Sequence, residues 1–202
     1  MESSSMKSLG RNLAPNFYLR NTVTVAKALL GKCLHLRHSD TSLLAEIVET
    51  EAYCENDPAS HTYRGPTPRN QMMYEEGGLC YVYFTYGSHF CMNVVTGKKG
   101  KGEAVLLRAL APLEGWEVFR KNRPGVPDSS LLNGPGKLTQ ALGIFREHNG
   151  WRFDRPDFQL LDLGRDYSSR QIGSSPRIGI TKAKTRPWRF FIKGSPWLSR
   201  KS

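Results

Sequence analysis

The stretch Leu79–Val95, LCYVYFTYGSHFCMNVV, sets two β-branched and aromatic runs on either side of Tyr86-Gly87-Ser88. Two such runs joined by a glycine-containing turn are the pattern of a β-hairpin. If the turn centres near Ser88, Tyr83 falls opposite Asn93, an aromatic facing an amide across the pair. Tyr86 then sits at the tip, where a bulky ring has little to pack on. An exposed apolar wedge on a basic protein suits insertion between stacked bases. Hairpins are antiparallel, and few of the other connections are long enough for parallel crossovers. The fold class that follows is α+β: a single domain on a curved, mostly antiparallel β-sheet, with flanking helices and a protruding β-hairpin.

Upstream, Ala45–Tyr53 (AEIVETEAY) has the β-branched content of a strand yet carries three glutamates. Alternation puts Ile47, Glu49, Glu51 and Tyr53 on one face. A carboxylate half-shielded by apolar groups can act as a general base toward water. Both Glu49 and Glu51 meet that description, and alternation does not separate them. Downstream, Glu103–Pro112 (EAVLLRALAP) reads as another strand, with Arg108 in its apolar centre. A buried arginine needs an anionic partner, for which Glu49, Glu51 or a phosphate would serve.

Farther out, Asn21 or Thr22 caps a helix ending at Gly31, and a strand begins near Cys33. The loop Cys54–Gly78 supplies His61, Arg64 and Arg69. Gly134–Lys137 (GPGK) opens a second helix, whose free N–H groups favour phosphate beside Lys137. Residues 1–12 form a flexible N-terminal segment and 13–202 the domain.

The 202 residues carry a net charge of +11, which points to a polyanionic partner such as nucleic acid. The four cysteines form no C-x-x-C pair and read as reduced residues of an intracellular protein. The compartment would be the nucleus in a eukaryote, or the cytoplasm and nucleoid in a bacterium. The longest apolar run, AVLLRALAPL, is too short to span a bilayer and holds Arg108, so no membrane association is expected.

Six segments in series, EIVETEAY, ASHTYRG–PTPRN, YVYFTYGSHFCMN, VLLRALAPLEG, NGPGKLTQALGI and KGSPW, resemble the alkyladenine (3-methyladenine) DNA glycosylase family. The resemblance runs from about Ala26 to Trp197. It implies a monofunctional base-excision-repair enzyme that flips an alkylated or deaminated purine out of double-stranded DNA. Such purines include 3-methyladenine, 7-methylguanine, hypoxanthine and ethenoadenine. Hydrolysis of the N-glycosidic bond then leaves an abasic site. Residue by residue, it makes Glu51 the base that activates water and Arg108 its partner in holding that water. Tyr53 and His61 would stack on and bond the flipped base, and Tyr83 would cover its other face. Asn93 would exclude guanine's exocyclic amino group. Tyr86 would fill the gap in the duplex, with Arg64, Arg69 and Lys137 on phosphates. The resemblance implies a monomer with no metal and no organic cofactor. The rival reading is a nucleic-acid-binding module without catalysis, which would not need Glu51 and Arg108 paired beside an aromatic pocket.

Overall fold

The computed structural model describes residues 10–38, 40–85 and 87–200. The elements in chain order are β1 (Arg11–Asn12), α1 (Pro15–Tyr18), α2 (Thr22–Ala28), β2 (Cys33–His38), β3 (Thr41–Tyr53), β4 (Cys80–Thr85) and β5 (His89–Val95). They continue with β6 (Ala104–Glu114), α3 (Trp116–Asn122), α4 (Pro135–Leu142), β7 (Asp154–Arg155), β8 (Phe158–Asp162), β9 (Ile172–Ser175) and β10 (Arg189–Ile192). The strands join one antiparallel sheet in the order β1-β8-β2-β3-β6-β5-β4, curled into a half-barrel. Off that path, β7 pairs with β8, and β10 links β3 to β9. The α+β expectation holds.

Local chemistry accounts for the element ends. The Asn21 side chain accepts from the amides of Val23 and Thr24 at 3.0 and 3.3 Å, the N-cap expected from sequence. The turn out of α2 passes through Gly31 at φ +84°, where a Cβ would lie 2.6 Å from the Arg165 carbonyl oxygen. Only glycine fits there. Arg11 and Asn12, expected within the flexible segment, instead pair with Asp162 and Leu161 of β8. Residues 1–9 lie outside the described set.

β3 is the strand that organises the site. Its first half pairs with β2 along one edge, from His38↔Thr41 to Cys33↔Glu46. On that edge, β10 takes over at Glu49–Glu51. The change of partner coincides with a bulge, because the pairing to β6 skips from Ile47↔Leu110 to Glu49↔Ala109. A bulge shifts the alternation by one residue. Before it, Leu43, Ala45 and Ile47 belong to the main core; after it, Val48 and Ala52 do, and Thr50 donates to the Ala26 carbonyl of α2. Ile47 is therefore not on the face of Glu49, Glu51 and Tyr53, contrary to simple alternation. Ile47 thus does not shield the carboxylates; Arg108 and Arg189 stand beside them instead.

The hairpin exists with a different register from the expected one. Tyr83 pairs with Cys91, and Asn93 pairs with Tyr81. The pairing centres on Gly87 rather than Ser88, a difference of one residue that moves every partner by two. α4 packs on the second strand, where the Thr139 hydroxyl donates to the Phe90 carbonyl at 2.8 Å. A Cβ on Gly136 would touch His89 at 3.0 Å, so the first turn of α4 lies close against the hairpin.

Candidate active site

Beyond the bulge, β3 presents two fully buried carboxylates, and the structure gives each a different task. Glu49 is held at all sides. Its Oε1 accepts from Arg189 Nε at 2.7 Å, Arg108 Nε at 3.2 Å and the Ser199 hydroxyl at 2.7 Å. Its Oε2 accepts from the Ser199 amide at 2.6 Å. Arg189 also donates to the Ser175 hydroxyl and the Arg200 carbonyl, tying β9, β10 and the C-terminal stretch to β3. Glu49 is thus a structural anchor that also fixes Arg108.

Glu51 is less committed. Oε1 accepts from the Ile178 amide at 2.8 Å, with Arg108 Nη1 at 3.4 Å, and Oε2 accepts from the Tyr53 hydroxyl at 2.8 Å. A carboxylate offers about four lone-pair positions. Three donors meet that of Glu51 among the described residues, against four on Glu49, and Glu51 itself lies just behind residues that line a cavity. Burial, and then the Glu51 charge, push the Tyr53 hydroxyl far above its ordinary range, so it stays a donor.

The Glu51 donors all border one cavity of about 390 Å³, a size typical of a small-molecule site. Tyr53, His61, Tyr83, Asn93 and Arg108 line it, joined by Tyr81, Cys91, Pro135 and the segment 178–182. Five of the residues singled out from the sequence therefore line it, with Glu51 behind them, although the register places Tyr83 and Asn93 diagonally across the hairpin rather than opposite. Asn93 is buried, and its Nδ2 donates to the Tyr81 carbonyl at 3.0 Å, which keeps the amide from swinging aside. Pro135 brings the amino end of α4 to the rim.

His61 Nδ1 shares a hydrogen bond of 3.0 Å with the Tyr81 hydroxyl, and its ring meets Tyr83 edge-on at 4.5 Å. Burial among these rings and, secondarily, the Arg69 charge lower its pKa to about 4. His61 as a whole is nonetheless exposed, so water weakens this burial effect. The imidazole is neutral at pH 7, leaving Nε2 for a ligand. The folded form binds this proton more weakly than the unfolded chain, whose histidines titrate near 6.5. The stability contribution is complete above that pH and is lost as pH falls toward 4. The His61 ring signals in an NMR titration should move below pH 6; an ordinary midpoint near 6.5 would show that its contacts with Tyr81 and Tyr83 do not shift it.

The expected phosphate contacts lie outside the cavity. Arg64, Arg69 and Lys137 are all exposed. Arg69 is nearest, donating to the Phe84 carbonyl at 3.1 Å and lying over the Tyr83 ring. Lys137 Nζ rests on Asn133 at 2.8 Å. Other basic residues have local partners: Lys99 pairs with Glu75 and Lys101 with Glu103. Tyr86, the expected wedge, lies outside the described residues. All four cysteines are free, as expected, and His35 is bonded to Gln159 and Ser42.

Sequence reasoning missed Ile178, Arg189 and Ser199. A backbone amide has no side-chain signature, and Ser199 is an unremarkable serine in a polar tail. Arg189 was findable in principle, since the run RFFI sets one charge at the start of an otherwise apolar strand.

Comparison with known proteins gives a consistent answer. The family model described as methylpurine-DNA glycosylase (MPG) matches residues 16–196. A protein of Methanoculleus marisnigri is 46% identical over 187 residues, covering 92% of this chain and 97% of its own. One from Carboxydothermus hydrogenoformans is 43% identical over 189 residues (94% and 99%), and one from Francisella tularensis 47% over 182 (89% and 94%). All three carry the provisional name 3-methyladenine DNA glycosylase. With the match spanning β2 to β10, both carboxylates and the residues that line the cavity, the chain belongs to the methylpurine-DNA glycosylase family.

Proposed function

We propose that this glycosylase receives one alkylated or deaminated purine, flipped from duplex DNA, in the cavity between Tyr53 and Tyr83. Glu51 takes a proton from the attacking water as the water oxygen bonds to the sugar's anomeric carbon. The bond from that carbon to the purine nitrogen breaks, and the base leaves with the electron pair. A lesion already cationic leaves as a neutral base. The product is an abasic site in an uncut strand.

The observation that carries this reading is the buried Glu51 carboxylate, whose three donors Tyr53, Arg108 and Ile178 all line one aromatic cavity. The three donors on Glu51 hold it as an oriented anion, and Arg108 can hold the water against it. A module that only bound nucleic acid would gain nothing from burying this pair, since buried charges are costly. Stacking between rings contributes roughly 1–3 kcal/mol per base and is tolerant of base identity. Selectivity then falls to Asn93, which meets the purine edge where guanine bears its amino group. Tyr86 would occupy the space vacated in the duplex, and Arg64, Arg69 and Lys137 would contact phosphates.

A panel of duplexes, each with one damaged purine, tests the pocket through the free base released. Asn93→Ala should admit guanine-type bases better, raising their release several-fold relative to hypoxanthine. Unchanged ratios across the panel would remove Asn93 from its gating role.

A further inference from the structure

Behind the Tyr53 wall lies a charge that the reaction described above does not use. Arg177 is 5% exposed, and its Nη1 donates to the Ala52 carbonyl at 2.9 Å and to the buried Asp57 carboxylate. Its Nε and Nη2 are buried with no hydrogen-bond partner among the described residues. Aromatic faces stand in their place: the guanidinium carbon is 4.6 Å from the Tyr53 ring centre and 5.3 Å from that of Trp188. Tyr53 lines the cavity and Arg177 does not, so the guanidinium covers the ring's rear face.

Two consequences follow for the site. The residue after Arg177 is Ile178, whose amide donates to Glu51, while the ring Arg177 covers carries the other neutral donor to Glu51. Arg177 therefore fixes both. It also acts on charge. A ring attracts a cation through the negative potential of its faces. With a guanidinium already on one face, held by Asp57 through Nη1 and with Nε and Nη2 making no hydrogen bond among the described residues, that potential is partly spent. A second cation on the front face is then held less well, whereas a neutral base loses little.

We propose that Arg177 is a specificity-determining positioning residue: it orients the two neutral donors on Glu51 and biases the Tyr53 wall toward neutral damaged purines over cationic ones. This rests on the reading that Tyr53 stacks on the flipped base. Asp57 adds a link to the pocket, because its Oδ1 accepts from the Ala59 amide and both Pro58 and Ala59 line the cavity.

The test compares single-turnover release of 7-methylguanine, a cationic lesion, with that of neutral hypoxanthine. Arg177→Met should slow both, yet raise the ratio of cationic to neutral release about threefold or more. Arg177→Lys keeps the charge and should slow both with the ratio within twofold of the parent. If Arg177→Met unfolds on the loss of Asp57's partner, the pair Asp57→Asn with Arg177→Met leaves no buried charge unmatched and is read the same way. An unchanged ratio in the uncharged variant, or an equal change in Arg177→Lys, would overturn the proposal. Tyr53→Leu separates this from the underlying reading. If it lowers release of both bases while Arg177→Met leaves the ratio unmoved, only the Arg177 proposal fails. If it leaves both rates unchanged, the stacking role of Tyr53 fails with it.

Discussion

Glu51→Gln should bind a lesion-containing duplex within a few-fold of the parent and release base about 10²–10⁴ times more slowly, the range for loss of a general base. The substitution keeps the shape of the side chain and lets Oε1 go on accepting from the Ile178 amide. It removes the charge beside Arg108 and the capacity to take a proton from water. Because Glu51 and Arg108 are both buried, part of the effect is structural. Thermal unfolding of the same preparation separates the two contributions. A protein that unfolds near the parent temperature but no longer releases base carries a chemical defect. Base release at the parental rate would remove Glu51 from the reaction.

The largest loss of stability should follow Arg189→Met. Arg189 is 3% exposed, and Glu49 is fully enclosed. Removing one partner of a buried pair costs about 3–5 kcal/mol, because the other charge is left in a low-dielectric site. For a chain of this size that corresponds to a Tm lower by about 6–20 °C. Arg108 and Ser199 still contact Glu49, which favours the lower end of the range. Replacing both partners, Glu49→Met with Arg189→Met, should restore part of the loss, as an apolar pair leaves no unmatched charge. Base release should nonetheless stay depressed in the double variant, since Arg108 loses the carboxylate that positions it. A Tm for Arg189→Met within 2 °C of the parent would show the network to be dispensable.

How far the sequence revealed this site depended on the kind of signal each residue carries. The antiparallel sheet was legible because β3 and β5 carry β-branched residues, β6 is a long apolar run and the hairpin has a clear turn. Its register was not, since a turn centred on Gly87 or on Ser88 fits the same residues. The shared face of Glu49, Glu51 and Tyr53 followed from alternation. The separation of Ile47 from them did not, because a bulge leaves no mark in composition. Periodicity left the two glutamates equivalent, and family resemblance favoured Glu51. The two differ in their partners: Glu49 accepts from two arginines and a serine, while the donors on Glu51 all line the cavity. Neither the amide of Ile178 nor the placement of Arg177 behind Tyr53 could be read beforehand. Both depend on a long connection between β9 and β10 folding back over the cavity, which no local pattern encodes.

The most direct measurement is single-turnover incubation of the purified protein, in excess, with a duplex holding one hypoxanthine or one alkylated purine. Free base and strand integrity are read together. Hydrolysis at Glu51 requires free base to appear with the protein, the strand staying whole until alkali cleaves it at the abasic site. Tight binding of every lesion duplex with no base released from any of them would contradict the account.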